Sequence, residues 1–138
     1  MEINEILEIP QFKAEESEKI NNEIIISGEI INTDKACPTC GKESYKANQY
    51  YTRIIRTLPI YGKRTYLKFT EKILKCIDCN KTFSEKVNFV EKSQRFTKAY
   101  HNYIYELAKK QDFKRVAELE KIDPDTVKSF FKMSSKSG

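Results

Sequence analysis

The 138-residue chain has no tryptophan, one histidine, and no cysteine outside two short pairs. No apolar run approaches the roughly 20 residues of a membrane-spanning helix, which predicts a soluble protein with no membrane partner. The start, Met1-Glu2-Ile3-Asn4, is acidic and has neither the basic-then-apolar order of a secretory signal nor a transit-type composition. The expected location is therefore the cytoplasm, where thiols stay reduced and disulfides are disfavoured. The lone histidine, His101, has no nucleophile or ligand set near it in sequence and is read as an exposed surface residue without chemistry. No repeat is visible beyond the two cysteine pairs. The acidic stretch Glu15, Glu16 and Glu18 lacks a catalytic partner and reads as a solvated strand face.

What is present begins with those pairs, Cys37-Pro38-Thr39-Cys40-Gly41 and Cys76-Ile77-Asp78-Cys79-Asn80. Two residues inside each pair let both sulfurs of a tight turn face one ion, and two such turns complete a tetrahedral four-thiolate site. Gly41 and Asn80 follow the second cysteine of each pair, where the chain must turn sharply and a left-handed conformation suits glycine and asparagine. The pattern predicts a structural zinc site formed by Cys37, Cys40, Cys76 and Cys79. Iron in a rubredoxin-type site, two disulfides or a redox dithiol are the alternatives, and zinc against iron stays open in the sequence.

Charge is unevenly distributed. Residues 1–36 carry 3 lysines against 9 acids, a balance of −6, whereas residues 37–138 carry 22 basic residues against 11 acids, a balance of +11. An acidic leading segment followed by a basic body points to a polyanion partner, because clustered cations gain affinity for phosphate by releasing counterions. A lysine-rich soluble surface is the plainer explanation of the same numbers.

Along the chain, Ile3, Ile6 and Leu7 have helical spacing that Pro10 ends. Phe12 to Ile20 and Glu23 to Ile31 flank Asn21-Asn22 and predict a β-hairpin in which Ile24-Ile25-Ile26 is buried. Between the cysteine pairs, Gln49 to Leu58 and Thr65 to Lys75 predict an antiparallel ribbon joined by Pro59 to Arg64. Leu67, Phe69 and Ile73 alternate there with Tyr66, Lys68, Thr70 and Lys72, so one face packs while the other presents cations. Arg53, Arg56, Lys63, Arg64, Lys68 and Lys72 are its candidate DNA contacts, interleaved with Tyr50, Tyr51, Tyr61 and Tyr66. A protein-facing ribbon, with these tyrosines covering a small core, is the competing use.

After a closing strand near Lys81 to Glu85 and a linker from Val87 to Gln94, the period becomes helical. Thr97 caps a helix with Tyr100, Tyr103, Ile104, Leu107 and Ala108 on one stripe, ending near Gln111. Asp112 caps a second helix with Phe113, Val116 and Ala117 inward. Asp123-Pro124 opens a third, with Val127, Phe130 and Phe131 inward. The last two helices read as a helix-turn-helix, although Lys121 stands where glycine is usual and Leu119 is displaced from the usual apolar position. Lys114, Arg115, Thr126, Lys128, Ser129 and Lys132 are the candidate DNA contacts here, and Asp125 would limit which base edges are accepted. An ordinary three-helix bundle is the plainer reading.

The order Cys37-Pro-Thr-Cys-Gly, Arg53, Arg56-Thr-Leu-Pro-Ile60, Cys76-x-x-Cys79-x-x-Thr82-Phe-Ser-Glu85 and then a helix-turn-helix resembles the N-terminal region of ISL3-family transposases over about residues 12–132. It departs from that pattern at Thr57, where an acidic residue is usual, and at Glu71-Lys72-Ile73, where arginines are commoner. The resemblance implies a module that recognises transposon ends, joined in the family to a catalytic domain that this chain is expected to lack. The expected fold is α+β: an acidic hairpin segment (1–36), a four-cysteine zinc ribbon (37–90), a three-helix helix-turn-helix domain (95–133) and a flexible tail (134–138). The expected function is zinc-dependent binding of transposon-end or related double-stranded DNA, without enzymatic activity. A transposase catalytic subunit, another protein or a second copy in a homodimer are the further candidate partners. The alternatives are a protein-interaction module that binds or inhibits a nucleic-acid enzyme and, more remotely, an iron-loaded electron carrier.

Overall fold

In the structure, a computed structural model, residues 3–90 and 94–137 are described. A five-residue helix, α1 (Ile3–Leu7), precedes the hairpin of β1 (Phe12–Ile20) and β2 (Glu23–Ile30). Asn21 takes the left-handed conformation at its turn, with φ 56°. The long ribbon is β3 (Tyr45–Ile60) with β4 (Lys63–Cys76), followed by the short β5 (Thr82–Ser84).

This ribbon is longer than the sequence pattern predicts. The turn shrinks from the expected Pro59–Arg64 segment to Tyr61-Gly62, both at positive φ (52° and 72°), so pairing continues out to Ile60 and Lys63. Two successive left-handed residues match the twist of the flanking strands.

The hairpin and the ribbon share one sheet in the order β1-β2-β4-β3. Glu23–Ser27 of β2 pair in parallel with Arg64–Lys68 of β4, and β5 pairs with Ile73–Lys75 of β4. With β3 along one edge of β4, β2 and β5 occupy the other edge in succession. The expected boundary at residue 36 thus follows a hairpin already built into the ribbon's sheet. Ile24 and Ile26 enter a core with Phe12, Ile55, Leu67, Phe69 and Val90. Phe12 and Phe69 meet edge to face at 6.2 Å, and Phe89 joins Phe69 at 5.7 Å. Gly28 is required beneath Phe12, since a Cβ there would stand 2.5 Å from the ring and 2.4 Å from the Lys13 carbonyl. Val87 and Phe89, expected in a linker, pack against this core.

Three helices follow: α2 (Lys98–Lys110), α3 (Phe113–Glu120) and α4 (Pro124–Ser137). The Thr97 hydroxyl accepts the Tyr100 N–H at 3.1 Å and caps α2. Asp112 occupies the N-cap of α3 without a side-chain hydrogen bond, whereas Asp123 Oδ1 accepts the Asp125 N–H at 2.8 Å beside Pro124. Lys121 adopts the left-handed conformation (φ 55°) in which glycine is usual, ending α3 at a cost of about 1–2 kcal/mol. Tyr100, Ile104, Ala108, Val116, Ala117, Val127 and Phe130 form the core between the helices.

Two expectations are corrected in this part of the chain. His101 is buried, not exposed: it stacks on Phe130 at 4.2 Å, beside Phe96. The ring of Phe130 widens the apolar stripe of α2 to include it. The tail expected from residue 134 is helical as far as Ser137, because nothing between Met133 and Ser137 breaks α4.

Candidate metal centre and nucleic-acid interface

Both cysteine turns are built alike. In the first, the Gly41 N–H donates to the Cys37 carbonyl at 2.7 Å and the Cys37 N–H donates to the Lys42 carbonyl at 2.9 Å. In the second, the Asn80 N–H donates to the Cys76 carbonyl at 3.0 Å and the Cys76 N–H to the Lys81 carbonyl at 2.9 Å. Gly41 and Asn80 both have positive φ, 77° and 60°. β3 and β4 bring the turns together, since Tyr45 pairs with Cys76 and the Ile77 N–H donates to the Ser44 carbonyl at 2.8 Å.

All four Sγ atoms lie within 4.8 Å of one another, with Cys37–Cys79 at 3.5 Å and Cys40–Cys76 at 3.6 Å. None of the four is in a disulfide. Thiolates about 2.3 Å from a tetrahedral ion stand roughly 3.8 Å apart, so the donor set fits a metal ion. The Cys40 N–H, against the opposing effect of burial and with help from the Thr39 N–H, lowers the Cys37 thiol to about 6. At Cys79 the Lys81 N–H favours the thiolate but is outweighed by burial and the other three sulfurs, and the thiol is pushed up to about 11. Cys40 is likewise raised, its Lys42 N–H being outweighed by burial and by Cys76 and Cys37. Sulfurs crowded in this way resist joint ionisation until a cation neutralises them.

A second polar cluster lies where the ribbon meets the helices. Arg56 donates to Glu120 Oε1 at 3.3 Å, with the two side chains 8% and 13% exposed. Tyr100 Oη donates to the same oxygen at 2.8 Å and Tyr103 Oη to Glu120 Oε2 at 3.3 Å. The Arg56 guanidinium lies over the Tyr100 ring at 4.9 Å. Burial, with Glu120 alongside, raises both phenols and keeps them as donors. The backbone joins here too: the Arg56 N–H donates to the Arg95 carbonyl, the Thr97 N–H to the Arg56 carbonyl, and the Thr57 and Thr97 hydroxyls meet at 3.2 Å. Thr57, the departure from the family pattern, is thus a buried hydroxyl within this joint.

The candidate DNA contacts divide by this geometry. Arg53 and Arg56 are turned inward, Arg53 bonding to Glu71 at 2.9 Å and to the Gln94 carbonyl at 2.6 Å. Arg64 is half-buried, 3.9 Å from Glu23, and Lys63 is half-buried beside it. Lys68 and Lys72 stand exposed on β4. Lys114 and Arg115 are exposed on α3, as are Lys128, Ser129 and Lys132 on α4, whereas Thr126 is half-buried. Sequence reasoning passed over Glu120, whose signal was its position one turn after Val116 on the buried stripe of α3. It also passed over Arg95, which is exposed just before α2.

A ribbon with a four-cysteine cluster that could hold a metal ion is joined to a compact helical unit through the Arg56–Glu120 pair and the Thr57–Thr97 hydroxyls. Comparison with known families narrows this: residues 34–79 match the zinc-finger of transposase IS204/IS1001/IS1096/IS1165, and residues 85–133 match the helix-turn-helix domain of transposase family ISL3. The chain belongs to this family, of which it carries the N-terminal region. No curated protein and no solved structure gives a significant match. No helix among the described residues is long and apolar enough to cross a membrane.

Proposed function

We propose that the chain is a zinc-loaded module that recognises transposon ends or related double-stranded DNA, with α3 and α4 as its helix-turn-helix pair. The observation that carries this reading is the division of α4, in which Val127 and Phe130 are buried while Asp125, Lys128, Ser129 and Lys132 are exposed, inside the matched helix-turn-helix region. Such a helix can enter the major groove while Lys114 and Arg115 of α3 meet the backbone. Lys63, Arg64, Lys68 and Lys72 add phosphate contacts from the ribbon; Arg53 and Arg56 serve the fold instead. Zinc holds the two cysteine turns together and takes no part in chemistry. In this reading the domains bind and do not cut, strand transfer belonging to a separate catalytic domain or subunit, and the module works in the cytoplasm.

Anisotropy of the metal-loaded chain with random duplex DNA across salt concentrations tests this. Log affinity should fall linearly with log salt, with a slope near −0.9 for each phosphate neutralised. Absence of binding at low salt overturns the proposal. A second reading rests on Glu15, Glu16 and Glu18, all exposed on the edge strand β1: this acidic edge would dock on a basic protein partner, such as a nucleic-acid enzyme. Activity that survives Lys128→Glu with Lys132→Glu, yet is lost on neutralising those three glutamates, would select it.

A further inference from the structure

We propose that Arg95 is a base-reading residue, its guanidinium taking the O6 and N7 edge of a guanine in the major groove beside α4. The proposal rests on the DNA-binding reading above. The sequence contains five arginines. Arg53, Arg56 and Arg64 face Glu71, Glu120 and Glu23. Among the described residues, Arg95 and Arg115 have no acidic partner.

Arg95 differs from Arg115 in how it is held. It lies outside any helix, yet its carbonyl accepts the Arg56 N–H at 2.9 Å. The preceding Gln94 carbonyl accepts from Arg53 at 2.6 Å, and the Thr97 N–H donates to the Arg56 carbonyl at 3.0 Å. Phe96 between them forms a parallel bridge with Arg56. Four successive residues are thus pinned to β3 while the Arg95 side chain remains exposed. A fixed backbone under a free guanidinium reduces the entropy lost when the side chain docks.

Arg95 also lines an open groove of about 390 Å³ with Asp125, Thr126 and Ser129, which places it against the first turns of α4. The Asp125 carboxylate disfavours a phosphate in this groove, but it can accept from a cytosine N4 amine. The planar fork of arginine matches guanine O6 and N7 with two parallel hydrogen bonds, whereas lysine reaches the same acceptors from a flexible stem without that fixed geometry. The groove therefore favours a base edge over the backbone.

The test starts by selecting a preferred duplex from a random library with the metal-loaded full chain. Each guanine of that duplex is then replaced by 7-deazaguanine, which lacks the N7 acceptor, and binding is measured for the wild type, Arg95→Ala and Arg95→Lys. At one position the replacement should weaken the wild type about tenfold and leave Arg95→Ala unaffected. Arg95→Lys should lose less than Arg95→Ala on the selected duplex while keeping wild-type affinity for random DNA. If Arg95→Ala binds the selected duplex like the wild type, or if no 7-deazaguanine position distinguishes the wild type from Arg95→Ala, the base-reading role is wrong. If the wild type binds no duplex, the DNA-binding reading has failed first.

Discussion

The four cysteines do for one end of the molecule what Tyr100, Ile104, Val116, Val127 and Phe130 do for the other. Among the helices, five side chains at 0–4% exposure interlock, and the unit has the apolar burial that ordinarily supports a small fold. Around the cysteine turns Cys40, Gly41 and Asn80 are exposed, Ile77 is 57% exposed, and Leu74 is the nearby buried aliphatic residue. Little apolar area can be credited to that end. A metal ion held by the four thiolates would take the place of a core there, and the comparison teaches that one chain can draw on two unrelated sources of folding free energy a short distance apart.

Cys76→Ser should separate them most sharply. Structural zinc binding contributes on the order of 10–16 kcal/mol in small zinc peptides, comparable to the stability of a whole domain. The variant should lose its metal, and amide exchange should rise across residues 34–44 and 77–82 while α2–α4 stay protected. The hairpin end of the sheet, with its own core around Phe12, Leu67 and Phe69, should lose less protection than the cysteine turns. Metal analysis with hydrogen exchange reads this directly. Helices that melt together with the turns would show that the two ends are one cooperative unit.

The next test strikes the joint. Glu120→Ala leaves Arg56 buried beside Tyr100 without its counter-charge, and breaking a buried pair in this way costs about 3–5 kcal/mol. The metal should remain bound, and DNA affinity should fall although Glu120 touches no DNA, because the cysteine turns and α4 would lose their fixed relation. Denaturant melts of the metal-loaded protein and anisotropy on the same samples decide this. Ile104→Ala, which removes a fully buried side chain from the helical core, should cost about 2–5 kcal/mol and leave zinc content unchanged. If Ile104→Ala released the metal, independent stabilisation of the two ends would be untenable.

The two ends also differed in how far they could be read from the sequence. The gathering of the four cysteines was legible because its signals are local: cysteine spacing, Gly41 and Asn80 each mark a turn on their own. Helix boundaries at Thr97 and Pro124 were legible for the same reason. The parallel pairing of β2 with β4 was not, since Ile24 and Thr65 are far apart in the chain and no local residue marks their contact. The uninterrupted Ile24-Ile25-Ile26 run was the available clue, because strands inside a sheet and covered on both faces lose strict alternation, and Ile25 is half-buried between the buried Ile24 and Ile26. The inward turn of Arg56 could not be read because its partner, Glu120, lies 64 residues later. A cation and a carboxylate that each sit amid apolar neighbours reveal their role only once the fold brings them together.

The smallest effect concerns the hydroxyl at the entrance to α2. Thr97 is buried, caps the helix through the Tyr100 N–H, and meets the Thr57 hydroxyl of β3 at 3.2 Å. Thr97→Ala should cost about 1–2 kcal/mol, part from the lost cap and part from leaving Thr57 without its partner. Thr97→Ser should recover most of this, since serine caps as well as threonine. Thr57→Ala in either background then apportions the loss: if ribbon and helices are locked through these hydroxyls, the double variant should be more stable than the sum of the single losses implies. Strict additivity would mean that Thr97 acts on α2 alone, leaving the lock to Arg56 and Glu120.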